Sequence, residues 1–405
     1  MSIVQMKYDM NGSCGTGLEN PRYIKEKEQV QSNRPVPVRA GSKVKWQRFE
    51  PPTWAAGLKN LPKYYVKLAQ HNTPVHEWDL PDIPNGFQIG IKRDDMTGSN
   101  MSGNKVRKLE FLLADALEKK CDTIFTLGSI YSNHCRSTAI ATKQLGLECY
   151  LFMRHREKNT DIGSMGNMLF NRMTGSHMIL TEYEPYDIAT YPKMDRLKEK
   201  LEKEGKSVYI IPAGGSCYVA MFAYMMTFNE LINQGVLEEY TDVVMTTGSG
   251  GTASGMAIAN YLTGSKLKVH CVNVRNSIEN LHQHIQEDLD QAGLNHVNAA
   301  DIIDIMDGHK GLGYGISTQE ELEHVIEIGC TTGITVDPVY TVKSVRGMLA
   351  EMRDNPSRFK GKKVLYMHTG GMFGLFEGRM DTTLNSLEKC NRVRYWANGD
   401  DIPEF

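Results

Sequence analysis

From about residue 87 the chain alternates short apolar runs with stretches of helical period, and this rhythm limits what it can fold into. FQIGIKRDD (Phe87–Asp95) reads as a strand, followed by a polar, glycine-rich turn and a helix in VRKLEFLLADALEKK, whose apolar residues recur at helical spacing. CDTIFTLG reads as a buried strand, HCRSTAIATKQLG as a helix closed by Gly146, ECYLFMR as a strand, and GSMGNMLFNRMTG as a helix closed by Gly175. The pattern resumes with SVYIIPAGG, a helix through Phe222–Gln234, the strand and loop TDVVMTTGSGG, a helix through Ala257–Leu262, and the strand KLKVHCVNV. Strands that alternate with helices call for right-handed crossovers. The expected fold class is therefore α/β, with open, twisted, mostly parallel sheets and helices on both faces. At 405 residues the chain is long enough for two lobes. The charged run RLKEKLEKEGK (Arg196–Lys206) reads as a solvated helix face with i,i+4 pairs.

Charge and cysteine spacing exclude several functions. Lys plus Arg number 46 against 48 Asp plus Glu, a net charge of −2 that offers no field for nucleic acid or anionic lipid. No window approaches the roughly 18–20 uninterrupted apolar residues of a membrane helix. The eight cysteines (Cys14, Cys121, Cys135, Cys149, Cys217, Cys271, Cys330, Cys390) are scattered, with no C-x-x-C pair. This pattern fits reduced thiols in a cytoplasmic protein and gives neither a zinc site nor a disulfide framework. Residues 1–50 carry nine basic and five acidic residues and no apolar run. A secretory signal is excluded, Asp9, Glu19, Glu26 and Glu28 disfavour a mitochondrial transit peptide, and residues 1–45 read as an extension.

Five segments could carry chemistry. In DDMTGSNMSGNKVRK, Lys105 stands at the mouth of a helix, where the electropositive end and the neighbours Arg107 and Lys108 disfavour its ammonium form. The same three residues also read as solvated cations on a helix start. In TLGSIYSNHCRS, Ser129, Ser132, Asn133 and His134 fill a turn that opens a helix, which suits a carboxylate or phenolic oxygen and equally suits a simple N-cap. In DVVMTTGSGGTASGM, Gly248, Ser249, Gly250, Gly251 and Thr252 form a strand–loop–helix turn able to wrap a phosphate. No P-loop signature is present, and the next strand ends in Asn273 and Arg275 without the acid that a dinucleotide ribose needs, so a phosphate monoester fits better. GYGIST with DPVYTVKSVRGM (Tyr314, Asp337, Tyr340, Thr341) and VLYMHTGGMFGL (His368, Thr369, Gly370, Gly371) follow strand ends, where open α/β sheets bind ligands; packing is the other fate of the tyrosines. His282 and His284 are two apart and point to different sides of a helix, so no metal site is expected.

Taken together and in order, KRDD, SGNKVRKLEF, SNHCR, IPAGGS, TGSGGTASG, DPVYTVKSVRGM and HTGG resemble the pyridoxal-phosphate enzymes of the tryptophan-synthase β-like fold. The similarity is to the branch holding D-cysteine desulfhydrase and 1-aminocyclopropane-1-carboxylate deaminase, and runs from about Leu68 to about Gly378. The resemblance implies a two-domain fold: a large pyridoxal-phosphate-binding domain of residues 46–107 and 212–405, and a small domain of residues 108–211. It puts the Schiff-base lysine on Lys105 and the asparagine that bonds the cofactor's phenolic oxygen on Asn133. It assigns the substrate carboxylate to Ser132, Asn133 and His134, the phosphate cup to Gly248–Thr252 with Lys108 in support, and two active-site tyrosines to Tyr314 and Tyr340.

Two positions separate the branch's activities. The deaminases carry Glu after the DPVY tyrosine and Leu at the position of Thr369; this chain has Thr341 and Thr369, as the desulfhydrases do. A carboxylate beside the pyridine nitrogen deepens the electron sink for ring opening, whereas a hydroxyl is sufficient when a thiolate leaves. The chain departs from the family in its long amino extension and in His134, where the deaminases carry glutamine. The implied activity is elimination from D-cysteine to pyruvate, sulfide and ammonia. The alternative is aminocyclopropane carboxylate deamination to 2-oxobutanoate, with an NAD-dependent redox protein and a non-catalytic cofactor carrier as further readings. The expected partners are a small amino-acid substrate and a second copy in a homodimer, with neither nucleic acid nor membrane.

Overall fold

The computed structural model describes residues 46–158 and 161–394, so the expected extension 1–45 lies outside the described residues. The strands are β1 (Trp46–Arg48), β2 (Tyr64–Val66), β3 (Val75–Glu77), β4 (Gln88–Lys92), β5 (Thr123–Ser129), β6 (Glu148–His155), β7 (His177–Glu182), β8 (Val208–Ile211), β9 (Asp242–Thr247), β10 (Lys268–Asn273), β11 (Asp304–Met306) and β12 (Lys363–Met367). Six form one sheet in the order β11-β10-β9-β12-β4-β3, four form another in the order β7-β6-β5-β8, and β1 pairs with β2. Every pairing in the four-stranded sheet is parallel. In the six-stranded sheet only the edge pairing β3–β4 is antiparallel. The expected α/β class with mostly parallel sheets is what the chain adopts.

β5 and β9 are buried along their whole length, as strands covered by helices on both faces must be. Their apolar runs were legible for that reason. The three-residue edge strand β3, which follows Pro74, was not expected: it is too short to show a period. The helix expected from Ala257 begins at Gly251, because its first turn is the small-residue run GTASG that carries no apolar signal. The helix Tyr191–Lys203 has the expected solvated pairs Lys198–Glu202 (3.8 Å) and Lys200–Glu204 (3.9 Å).

Helix α1 (Asn104–Glu118) joins the two sheets. Val106, Leu109, Leu112 and Leu113 pack with Ile124 of β5 and Ile211 of β8, while Phe111 packs into the core around Phe222 and Met245. The expected boundary at residues 107/108 falls inside this continuous helix. Its first turn is fixed from below: buried Arg107 bonds Asp94 at 2.9 Å and Glu230 at 2.7 Å, and Lys92 bonds Glu230 at 3.0 Å. Burial alone would push the Asp94 carboxyl up, but Arg107 and Lys92 outweigh it and hold the group below its usual range. Among the described residues the seven cysteines are free thiols, and no helix is long and apolar enough to cross a membrane.

Candidate active site

The carboxyl ends of β4, β5, β9, β10 and β12 open onto one cleft, the position where open parallel sheets bind ligands. The loop after β4 leads into α1 and delivers Lys105 and Lys108. The turn after β5 gives Ser129, Ser132, Asn133 and His134, and the loop after β9 gives Gly248, Ser249, Gly250 and Thr252. Tyr314, Tyr340 and Thr369 complete the expected residues that line the cleft.

Backbone approach fixes this arrangement. Gly103 sits at φ +103°, and a Cβ there would lie 2.9 Å from the Thr369 carbonyl; Asn104 N–H donates to that same oxygen at 3.0 Å. The SGNK and HTGG turns therefore lie against each other, which brings Lys105 to Thr369. Lys105 Nζ donates to the Gly214 carbonyl at 3.2 Å. A Cβ on Gly214 would meet Ser249 Oγ at 2.6 Å and Lys105 Nζ at 3.4 Å, so the amine and the glycine loop flank the same residue. Asn104 Nδ2 reaches Thr252 Oγ1 at 3.2 Å. Across the cleft, Ser132 caps helix α2 (Asn133–Leu145) by accepting from Cys135 N–H at 3.1 Å. The cap and a cleft-lining position coincide in one residue.

Two expected residues stand elsewhere. Thr341 does not line the cleft: its hydroxyl donates to Asp337 Oδ1 at 2.7 Å and accepts from Asp337 N–H at 2.6 Å, inside the turn that starts the helix Thr341–Asp354. Of the two threonines expected near the cofactor ring, only Thr369 faces the cavity. Gly251 is also set back, with its N–H given to Ser216 Oγ at 2.6 Å. The structure adds residues that sequence reasoning missed. Gly214 was marked only by the GG pair of IPAGGS, and Tyr186 and Arg275 had no local signal. His284, rejected as a metal ligand, lies behind the loop with Nε2 3.2 Å from Ser216 Oγ.

The electrostatics follow from burial. Desolvation, with Lys105 and Lys108 nearby, drives the His134 imidazole well below its usual pKa, so it is neutral; its Nε2 pairs with Thr126 Oγ1 at 2.9 Å. Tyr340 donates to Tyr314 Oη at 2.8 Å, and burial raises both phenols above their ordinary range. Both keep their protons at neutral pH.

Residues 66–370 match the family model described as pyridoxal-phosphate dependent enzyme. The chain belongs to that family. It is 41% identical over 354 residues to the Arabidopsis thaliana "Bifunctional D-cysteine desulfhydrase/1-aminocyclopropane-1-carboxylate deaminase, mitochondrial", covering 85% of this chain and 87% of the relative. A "Putative 1-aminocyclopropane-1-carboxylate deaminase" of Thermotoga maritima is 35% identical over 319 residues, covering 77% and 97%. Among solved structures, an ACC deaminase homologue superposes with a TM-score of 0.72 at 30% identity, covering 84% of this chain and all of that one.

The site fits the family's cofactor. Asn133, His134 and Thr247 line the cleft, and each carries a buried side-chain polar atom (Asn133 Oδ1, His134 Nδ1, Thr247 Oγ1) with no hydrogen-bond partner within the protein. Buried polar atoms are satisfied in folded proteins, so three together point to a bound polar molecule. Lys108 Nζ, 3.1 Å from where a Gly251 Cβ would stand, supplies positive charge at the start of the helix Gly251–Leu262, where a phosphate is favoured.

Proposed function

We propose that this pyridoxal-phosphate dependent enzyme catalyses α,β-elimination from D-cysteine and related β-substituted D-amino acids, giving pyruvate, sulfide and ammonia. The observation that carries the reading is the meeting of Lys105 Nζ and Ser249 on either side of Gly214, opposite the α2 N-terminus. When bound, the cofactor supplies an electron-accepting ring that stabilises negative charge at the substrate α-carbon.

The chain's own residues do the rest. Gly248, Ser249, Gly250 and Thr252, with Lys108, hold the phosphate. Lys105 would hold the cofactor through Nζ, and its free amine would be the base that takes the α-proton. Ser132, whose oxygen already accepts from Cys135 N–H, turns its proton toward the substrate carboxylate, beside Asn133 and His134. His134 is neutral and serves as a hydrogen-bonding wall. The C–S bond breaks with its electron pair on sulfur, the α C–H pair forms the Cα=Cβ bond, and the Tyr340–Tyr314 pair supplies the proton that sulfur takes. Water then converts the released enamine to pyruvate and ammonia.

The Arabidopsis relative is named for both D-cysteine desulfhydration and aminocyclopropane carboxylate deamination, and the Thermotoga relative for the second, so deamination is the other reading. Thr369 in the cleft favours the first, on the resemblance that puts leucine at this position in the deaminases. The deciding assay measures sulfide, pyruvate and 2-oxobutanoate from D-cysteine, L-cysteine and aminocyclopropane carboxylate side by side. Pyruvate and sulfide from D-cysteine are expected to dominate. A larger yield of 2-oxobutanoate would replace elimination with deamination. A cytosolic homodimer belongs to the same proposal, tested by fractionation and light scattering.

A further inference from the structure

Tyr314 sits in an irregular stretch between β11 and the helix Gln319–Thr332, yet that stretch is held tightly from within. Lys343, the third residue of the helix Thr341–Asp354, donates from Nζ to the carbonyls of Lys310, Gly313 and Ile316, each at 2.8 Å. An ammonium has three N–H groups, and all three are used. The Lys343 side chain is 0% exposed, and Glu321 supplies counter-charge from 3.9 Å. Gly311 closes the wrap at φ +58°; a Cβ there would stand 3.3 Å from Lys343 Nζ and 2.5 Å from Glu321 Oε1. The remaining carbonyl beside Tyr314, that of Gly315, accepts from Arg379 at 3.0 Å.

A buried ammonium is costly, and burial pulls the Lys343 pKa down while Glu321 opposes the fall. Three carbonyls converging on a single positive charge are what offsets that cost. Backbone carbonyls gathered in this way also replace the hydration shell of a monovalent metal ion. We propose that Lys343 is a built-in monovalent cation: the loop 310–316 is a cation nest, its occupant is tethered to the neighbouring helix, and its task is to position Tyr314. The same helix is capped by Tyr340, whose hydroxyl donates to Tyr314 at 2.8 Å, so one element sets both members of the phenol pair. Lys343 is thus a positioning residue, acting through Tyr314. The inference borrows from the proposed reaction only that Tyr314 faces the reacting molecule.

The test compares the cofactor-loaded wild type with Lys343→Ala in choline, sodium, potassium and methylammonium chloride at equal ionic strength, reading pyruvate release. The wild type is expected to vary by less than about twofold among the salts. In choline, Lys343→Ala is expected to lose roughly 10- to 100-fold in kcat with a smaller change in KM, the scale of loss for a displaced catalytic group. Potassium or methylammonium should restore about tenfold or more of that loss, saturably. In a Tyr314→Phe background the same substitution should add little, as for two groups acting as one. Amide exchange of residues 309–317 gives an independent readout: faster in the variant in choline, slowed by potassium. A wild type that releases no pyruvate from any of these amino acids counts against the proposed reaction, and the exchange data still judge the nest. A folded Lys343→Ala protein with wild-type turnover in choline, or one that no cation restores, overturns the proposal. Should Lys343→Ala not accumulate, Lys343→Gln keeps two N–H donors in the nest; reduced, salt-indifferent turnover supports the proposal and unchanged turnover and exchange overturn it.

Discussion

His134 is a base in sequence and a neutral spacer in place. Its folded pKa lies well below its usual value because burial and two lysines oppose the charged form. The unfolded chain takes up this proton as pH falls through about 6.5, while the folded chain refuses it, so stability declines below that pH. His134→Gln removes the mismatch. Its unfolding free energy is expected to fall less steeply than the wild type's between pH 7.5 and 5.5, measured by urea titration; parallel slopes would contradict the assignment. Lys105→Ala is expected to abolish both turnover and the covalently held yellow chromophore, read by absorbance after dialysis, while leaving the far-UV spectrum unchanged. At this scale the sequence was informative wherever glycines and polar residues bunch after an apolar run, as in SGNK, SNHCR and TGSGG. It was silent where a side chain reaches the cleft, or the back of its glycine loop, from a distance. Arg275 lies over the Tyr314 ring at 5.2 Å and His284 abuts Gly250, and no spacing announces either contact. One step along the chain separates Tyr340, which faces the cleft, from Thr341, whose hydroxyl bonds Asp337, and no spacing in the sequence marks that difference.

Among the elements, α1 and the glycine loop bear the strictest demands. The first turn of α1 is set by Arg107 between Asp94 and Glu230. Arg107→Leu leaves two buried carboxylates facing Lys92 alone. The expected cost is about 3–5 kcal/mol, the range for breaking a buried ion pair from one side, read from denaturant midpoints. A loss within experimental error would mean that packing, and not charge, holds the turn. Gly250 has φ +94°, and a Cβ would meet His284 Cδ2 at 2.5 Å. Gly250→Ala is expected to weaken cofactor binding by tenfold or more in a spectroscopic titration, through strain and displacement of the loop. The long buried strands and the solvated helix were readable from period alone. The edge strand β3 and the glycine-rich start of the helix Gly251–Leu262 were not, because neither carries enough apolar residues to show one.

For the molecule as a whole, one cleft draws its walls from both large sheets, with β5 supplying Ser129 and β9 leading to Gly248. A ligand bound there stabilises the folded form by mass action. Stripping the cofactor is expected to lower the unfolding midpoint by several degrees, with recovery that increases with added pyridoxal phosphate in a thermal scan; an unchanged midpoint would show that the folded chain does not bind the cofactor. The α/β class was legible from alternation. A helix shared by two cores leaves no composition break, so the expected border at residue 107 cuts through α1.

That shared helix has a mechanical result. Lys105 lies on the second residue of a rod whose farther turns are embedded against β5 and β8. The amine is tied to both halves: the tip of the rod is clamped by Arg107 to Asp94 and Glu230 and by Asn104 N–H to the Thr369 carbonyl, while its later turns lie under the four-stranded sheet.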